Sequence, residues 1–275
     1  MAAVLLALCS SLIWGVGDFL GGALSRRLPA FAVLLWSQVF GLLLVIVVAA
    51  FAWDPPGAYL WWGALGSLAG TSALALFYLA LAMGTMSIVA PIAGTGLVVP
   101  VVVGLASGER PSVAQLVGIV IAAAGVVLAS GPELRGAGGS RRSVVYACLA
   151  ALGFGTAQAC LARGADTSVV MTQLAAFAAG LLVAVVAVLV TRTALRVART
   201  DLPRIGAIGA LNLLGLGAFS LATTKGLVSV VAVLASLYPV ITVLLARQVY
   251  GERLRGVQAA GVLAAFAGVV LLAAG

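Results

Sequence analysis

Residues 77–93 read FYLALAMGTMSIVAPIA, and residues 219–235 read FSLATTKGLVSVVAVLA. At this offset of 142 residues the two stretches share Phe, Leu, Ala, Gly, Ser, Val, Ala and Ala in register. A second pair follows, because residues 115–128 (QLVGIVIAAAGVVL) resemble residues 258–271 (QAAGVLAAFAGVVL), and each stretch comes after a Gly-Glu-Arg tripeptide. The chain therefore contains two copies of one unit.

The composition is that of an integral membrane protein. Hydrophobic residues make up 64% of the chain and charged residues 8%, whereas a soluble domain has roughly 45–50% and 25%. The apolar stretches are long and unbroken, which favours helices over a barrel. A span needs about 20 residues, so ten spans leave only short loops. The predicted fold class is all-α, a polytopic membrane protein of ten transmembrane helices.

Hydropathy and helix-breaking residues predict five helices in each copy, separated by a Gly- and Arg-rich connector. Five is an odd number, so the two copies must lie upside down relative to one another, which is typical of carriers that open alternately to either side. The expected units are a first repeat at 1–130, the connector at 131–142 and a second repeat at 143–275. The expected helices are 2–24, 30–52, 59–82, 87–106, 112–130, 143–162, 169–190, 203–224, 228–247 and 256–274.

Several function classes lose support from residue usage. The chain has no His, so we expect neither an enzyme nor a metal site. It has no Gly-x-x-x-x-Gly-Lys-Ser/Thr loop, and we expect no cofactor. The three cysteines, Cys9, Cys148 and Cys160, lie inside predicted helices and are interpreted as packing residues. The net charge of +8 favours contact with membrane lipid over nucleic-acid binding.

Loop arginines predict the orientation. Twelve of them follow odd-numbered predicted helices. Only three basic residues, Arg110, Arg163 and Lys225, follow even-numbered ones. The positive-inside rule then places both termini outside the cytoplasm. The twelve are Arg26, Arg27, Arg135, Arg141, Arg142, Arg192, Arg196, Arg199, Arg204, Arg247, Arg253 and Arg255.

The two Gly-Glu-Arg tripeptides, at 108–110 and 251–253, occupy matched repeat positions after the fourth helix of each copy, and Tyr238-Pro239 precedes the second. With the ten short-looped helices, these residues resemble the EamA-domain members of the drug/metabolite transporter superfamily over nearly the whole chain. The resemblance implies a carrier of small organic solutes, since members export amino acids, metabolites or drugs, and some import. It also implies a central cavity lined mainly by helices 1, 3, 4, 6, 8 and 9. Two features depart from the family, since its termini are commonly cytoplasmic and the first repeat has no Pro aligned with Pro239.

Asp18 is the one acidic residue placed well inside a predicted helix, where a charge costs at least about 2.5–3.5 kcal/mol at the bilayer centre. Ser11, Gly15, Asp18 and Gly22 share one helix face. Asp18 can bind a substrate amine or carry a coupling proton. In the alternative interpretation it lies near the interface and pairs with Arg26 or Arg27.

Neutral polar and aromatic side chains complete the candidate lining. They can hydrogen-bond or stack on an organic solute, although both kinds also serve helix packing. The candidate substrate or coupling residues are Asp18, Trp14, Ser11, Tyr78, Gln158, Asn212, Thr223, Ser236 and Tyr238.

Prolines and loop carboxylates add two further expectations. Pro91, Pro100 and Pro239 each remove a backbone donor and are candidate hinges or kinks. Glu109 and Glu252 come just before the fifth and tenth predicted helices, where a carboxylate is expected to cap the helix.

The leading hypothesis is a secondary transporter of a small organic solute in a bacterial-type plasma membrane. The two inverted halves would rock around a midplane cavity, driven by a proton or by the solute's own gradient. The alternative is a non-transporting scaffold or assembly factor with the same fold. A hydrophilic cavity that reaches the midplane would favour the carrier. Substrate identity and oligomeric state do not follow from the sequence.

Overall fold

The chain is all-helical throughout the part that the structure describes. The computed structural model describes residues 1–25, 27–83, 89, 92–129, 141–250 and 256–275, without the side chains of Tyr78, Leu81, Ala82, Pro239, Val243, Ala246, Arg247 and Tyr250. Within these residues the predicted all-α class and the predicted ten helices are confirmed. They are α1 (Ala2–Ser25), α2 (Ala30–Phe51), α3 (Tyr59–Met83), α4 (Ile92–Ala106), α5 (Val113–Ala129), α6 (Arg141–Ala165), α7 (Val169–Thr191), α8 (Leu202–Thr223), α9 (Val228–Ala235 continued by Tyr238–Tyr250) and α10 (Gly256–Ala274).

The outer surface is built for lipid. Seven helices, α1, α2, α3, α6, α7, α8 and α10, are long and apolar enough to cross a membrane, and α4, α5 and α9 contain shorter apolar helices. On α7, the side chains of Leu182, Leu189 and Val190 are 67–77% exposed. Water would disfavour such a continuous apolar surface, whereas hydrocarbon does not. The chain is therefore a multi-pass membrane protein.

Equivalent helices of the two copies pack against each other in opposite directions. In α5 and α10, Gly118 lies against Gly268, whereas Gly125 lies against Gly261. Residue numbers thus rise along α5 while they fall along α10, so the two helices are antiparallel. The equivalent helices α2 and α7 also run antiparallel.

The main packing pairs keep the same pattern when the two copies are exchanged. The counterpart of each helix lies five helices further along the chain. The pair α3–α6 thus corresponds to α8–α1, the pair α3–α7 to α8–α2, and the pair α1–α9 to α6–α4, and all six pairs are in contact. The remaining main pairs, α2 with α7, α4 with α9 and α5 with α10, each join a helix to its own counterpart. The two copies are therefore related by a pseudo-twofold axis.

The bundle has two ends, which we call the terminal face and the opposite face. Close contacts at the terminal face join Ala3 to Gly226 and Gly275 to Ser112, and the ends of α4 and α6 lie there as well. At the opposite face, Arg27 after α1 forms an ion pair with Asp201 before α8, at 3.8 Å. Of the loop arginines that dominate the charge count, those in the described residues belong to the opposite face, namely Arg27, Arg141, Arg142, Arg192, Arg196, Arg199 and Arg204.

Helices α4 and α9 are interrupted, although the sequence predicts two continuous helices at 87–106 and 228–247. Helix α4 contains a 3-10 turn at Thr95–Leu97, and α9 stops at Ala235 and resumes at Tyr238. At the repeat offset of 142 residues, the 3-10 turn corresponds to residues 237–239, so the two interruptions overlap. Each comes just before a proline, Pro100 in α4 and Pro239 in α9, because proline cannot donate the backbone hydrogen bond that would continue the previous turn. Pro91 lies outside the described residues.

The prediction that Glu109 caps α5 is wrong. Helix α5 begins with a reciprocal capping box, in which the Ser112 N–H donates to Gln115 Oε1 at 2.9 Å and the Gln115 N–H donates to Ser112 Oγ at 3.2 Å. Because these groups satisfy the first turn of α5, the Glu109 side chain is free to turn toward the first turn of α9. Glu252 lies outside the described residues.

Candidate functional site

The site is organised by a close crossing of α1 and α9 directly after the interruption of α9. A Cβ on Gly15 would lie 2.5 Å from Ile241 Cβ and 3.0 Å from the Tyr238 carbonyl oxygen. The Thr242 hydroxyl donates to the carbonyls of Gly15, at 3.1 Å, and Tyr238, at 3.0 Å. Only glycine allows this backbone approach, so Gly15 fixes the point where the first helix meets the broken helix.

Beyond this crossing, the face of α1 that meets α9 becomes exposed, and we call the space beside it the cleft. Ser11, which precedes Gly15 on the same face of α1, is 1% exposed. Asp18 and Gly22 follow on that face and are both exposed, and a Cβ on Gly22 would meet no atom within 4 Å. Asp18 also lies close enough to Tyr238 for an electrostatic interaction. The Asp18 carboxylate therefore faces the space between α1 and α9.

The alternative pairing of Asp18 with loop arginines finds no support in the described residues. Arg27 forms its ion pair with Asp201, which also binds Arg204 at 2.9 Å. Arg26 lies outside the described residues. Neither ion pair in the described part of the chain includes Asp18, so the cleft has an acidic group without a basic partner there.

Aromatic rings form one wall beside Asp18. Trp14 lies one turn earlier on α1. Its ring centroid is 6.2 Å from that of Tyr238, in an edge-to-face arrangement, and 5.8 Å from that of Phe219 of α8. The indole also packs over Gly215 of α8, where a Cβ would lie 2.6 Å from Trp14 Cδ1. An acidic group next to aromatic faces can bind an organic cation through charge and cation–π contact.

The crossing of α6 and α4 repeats this arrangement in the other copy. A Cβ on Gly155 would lie 2.6 Å from Val99 Cβ, and it would also collide with the carbonyl oxygen of Gly96. Gln158 follows Gly155 by three residues, as Asp18 follows Gly15. Its Oε1 atom is buried with no hydrogen-bond partner among the described residues. The two copies thus place a polar side chain at matched positions, Asp18 exposed and Gln158 half-buried with its Oε1 atom buried.

Asp18 and Gln158 lie toward opposite faces of the bundle. Asp18 lies seven residues before the end of α1 at Ser25, and Gln158 lies seven residues before the end of α6 at Ala165. Helix α1 ends at the opposite face, whereas α6 ends at the terminal face. The half of the bundle near the terminal face is tightly packed, since residues 230–235 of α9 are at most 5% exposed. The cleft therefore opens toward the opposite face and is closed toward the terminal face.

Several predicted lining residues use their polar groups locally. The Ser11 hydroxyl donates to the Leu8 carbonyl at 2.9 Å, and the Thr223 hydroxyl donates to the Ser220 carbonyl at 2.7 Å. Ser236, at the interruption of α9, is 6% exposed, and Asn212 of α8 is half-buried. The side chain of Tyr78 lies outside the described part.

Gln173 of α7 is a buried polar residue outside the lining predicted from the sequence. It is 2% exposed, and its Nε2 donates to Ser220 Oγ at 2.8 Å. Its Oε1, like that of Gln158, is buried with no partner among the described residues. A Gln within an otherwise apolar predicted span was the available signal, but its place near the start of the helix made it resemble an interfacial residue.

The described residues contain no group of three or more His, Cys, Asp or Glu side chains that could hold a metal ion. What the arrangement offers instead is a single acidic group with aromatic neighbours and neutral polar groups nearby. Such a set can bind and release an organic solute or a proton.

Comparison with known proteins agrees with this architecture. One solved structure, titled only "Crystal structure of protein", has a TM-score of 0.80 at 17% identity, and the match covers 98% of this chain and 95% of that one. At this identity the similarity shows the fold alone. No match was found among curated proteins. The EamA-like transporter family matches residues 1–131 and 141–274, one repeat each. The chain therefore belongs to the EamA-like transporter family.

Proposed function

We propose that this protein is a secondary transporter that exports a small organic solute across a bacterial-type plasma membrane by alternating access between two inverted repeats. The candidate solutes are amino acids, metabolites and drugs. The antiparallel packing of equivalent helices supports inversion, because inverted repeats related by a pseudo-twofold axis are the usual basis of alternating access.

The observation that carries the proposal is the difference between the two equivalent crossings. Asp18, beyond the crossing of α1 and α9, is exposed in a cleft, whereas Gln158 Oε1, beyond the crossing of α6 and α4, is buried without a partner among the described residues. If the two halves exchange conformations, the Gln158 side opens while the Asp18 side closes. A buried unpaired oxygen costs about 1–3 kcal/mol, so opening also relieves a penalty.

Charge supports export. The arginine-rich opposite face is the cytoplasmic one by the positive-inside rule, and the cleft opens toward it. A solute would thus enter from the cytoplasm and meet Asp18. We propose that the carboxylate binds an amine of the solute or carries a coupling proton, with Trp14, Tyr238 and Gln158 as further contacts. The hinges would be Pro100 and Pro239, beside the interruptions, with Pro91 as a third candidate.

The test compares metabolites released by cells that carry the wild-type protein, Asp18→Asn, Asp166→Asn or no protein. Asp166 is an exposed acid in the loop after α6, so Asp166→Asn matches the charge change away from the cleft. Equal amounts of protein in the membrane must be verified. We expect at least one released compound to require the wild-type protein, to persist with Asp166→Asn and to be lost with Asp18→Asn.

Two outcomes would contradict the proposal. Identical release with and without the wild-type protein would favour the scaffold alternative. Identical release by wild type and Asp18→Asn would remove Asp18 from the mechanism.

A further inference from the structure

The end of α4 is shaped so that Glu109 folds back over its own helix. Gly108 has a φ of +92°, a left-handed conformation that favours glycine and ends helices. The Glu109 N–H then donates to the Gly104 carbonyl at 3.1 Å. The side chain lies directly over Gly104, where a Cβ would be 2.8 Å from Glu109 Cδ. Gly108 and Gly104 therefore determine the direction of the Glu109 carboxylate.

The carboxylate of Glu109 caps a helix of the other repeat. The N–H of Val228 donates to Oε1, and the N–H of Ser229 donates to Oε2 at 3.0 Å. First-turn amides have no acceptor within their own helix, and the helix N-terminus favours a negative charge. Glu109 thus joins the end of α4 to the start of α9, the two interrupted helices.

A second contact between repeats lies beside this one. The Arg163 guanidinium, at the end of α6, donates to Ser107 Oγ at the end of α4. The end of α4 is therefore held by α6 and α9 together. Both contacts lie at the terminal face, where the bundle is closed.

Ser229 provides an opposing contribution at the same place. It is 0% exposed, and its hydroxyl has no hydrogen-bond partner among the described residues. A buried hydroxyl without a partner is destabilising and would gain from hydration. The Glu109 cap therefore stabilises the closed terminal face, whereas the Ser229 hydroxyl destabilises it.

We propose that Glu109 is a gating residue that latches the terminal face closed, and that the Ser229 hydroxyl weakens this latch enough for it to release. The inference rests on the proposed transport function. It predicts opposite effects of two conservative substitutions. Glu109→Gln removes the charge and should favour opening of the terminal face, whereas Ser229→Ala removes the unpaired hydroxyl and should favour its closure.

The experiment measures cysteine accessibility on the two sides of the α1 crossing. Cys9, Cys148 and Cys160 are first replaced by Ala, and single cysteines are then introduced as Ser11→Cys or Gly22→Cys. Ser11 is buried on the closed side of Gly15, and Gly22 is exposed on the open side. The full-length protein in sealed vesicles of both orientations is treated with a membrane-impermeant maleimide. Thr224→Cys, at an exposed position on the terminal face, reports which vesicles present that face.

With Glu109→Gln we expect labelling of the Ser11→Cys site from the terminal face to rise about tenfold, because hydrogen bonds to a charged group are lost. Labelling of the Gly22→Cys site from the opposite face should fall at the same time, since the two faces open in turn. With Ser229→Ala both changes should reverse in sign.

Each other outcome is decisive. Unchanged labelling rates at both sites with Glu109→Gln would overturn the latch. Faster labelling at the Ser11→Cys site without slower labelling at the Gly22→Cys site would also overturn it, because that result indicates local fraying. If the parent protein shows no labelling at the Gly22→Cys site from the opposite face, the cleft is absent and the proposed transport function falls as well. Labelling there that does not respond to Glu109→Gln overturns the latch alone.

Discussion

A single methyl group added between α5 and α10 should destabilise the protein, because these helices meet backbone to backbone. A Cβ on Gly125 would lie 2.7 Å from Ala265 Cα and 2.9 Å from the Gly261 carbonyl oxygen. A normal carbon–carbon contact is about 3.5–4.0 Å, so the helices must separate by about 1 Å. Overpacking of this kind costs about 1–3 kcal/mol. Gly125→Ala should lower the melting temperature by roughly 3–10 °C.

The pseudo-twofold axis predicts the same effect from the other copy. Gly268 is the counterpart of Gly125, and a Cβ there would lie 2.6 Å from Ala122 Cβ and 2.8 Å from Ala122 Cα. Gly268→Ala should therefore destabilise by a similar amount. Gly21→Ala is the matched control, since a Cβ on Gly21 meets no atom within 4 Å, and it should raise the stability of α1 by about 0.5–1 kcal/mol.

The assay is thermal unfolding of the purified protein in one detergent, followed by tryptophan fluorescence and by the fraction that remains monodisperse after heating. Gly21→Ala is measured in the same assay as the control. If Gly125→Ala and Gly268→Ala melt at or above the wild-type temperature, the close antiparallel crossing is refuted. A large effect from only one of the two would refute their equivalence.

Two other substitutions separate binding from folding in the candidate site. Gln158→Leu removes a buried unpaired oxygen, so the melting temperature should stay the same or rise while export falls, and a clear loss of stability would show that the amide has a structural partner. Trp14→Phe should retain more export than Trp14→Ala, because a ring beside Tyr238 and Phe219 is kept, and equal export by the two variants would exclude a stacking role.

The helices and the repeat could be predicted from the sequence because both depend on patterns that are local or duplicated. Apolar runs of about 20 residues identify spans, and the matched segments at 77–93 and 219–235 identify the repeat. The start of α6 at Arg141 instead of 143 is a small difference, since a basic residue can extend a helix into the interfacial region.

The interruptions of α4 and α9 were harder to predict. A proline inside a predicted helix indicates a kink, but whether the helix bends or breaks depends on what packs against the freed backbone. Directly after the α9 interruption, Gly15 closely approaches Tyr238 and Ile241. That contact joins residues more than 200 positions apart in the chain, which no local pattern describes.

The candidate site was predicted in part. Asp18 was identifiable because an acid inside an apolar helix is costly. The latch was not, because the Glu109 cap depends on a contact with residues 228–229 of the other repeat. Likewise, the sequence places both Asp18 and Gln158 in the candidate lining, whereas the structure exposes Asp18 and buries an oxygen of Gln158. Under the proposed alternating access, such a difference belongs to one conformation of the bundle.

The central claim, that the two repeats lie upside down in the membrane, is tested most directly by the sidedness of equivalent loops. Ala58, between α2 and α3, and Thr200, between α7 and α8, are both exposed. Each is replaced singly by cysteine in the background without native cysteines. An impermeant thiol reagent is then applied to intact cells and to inside-out vesicles. We predict labelling of the Ala58→Cys site from outside and of the Thr200→Cys site from the cytoplasmic side. Labelling of both sites from the same side would contradict inversion.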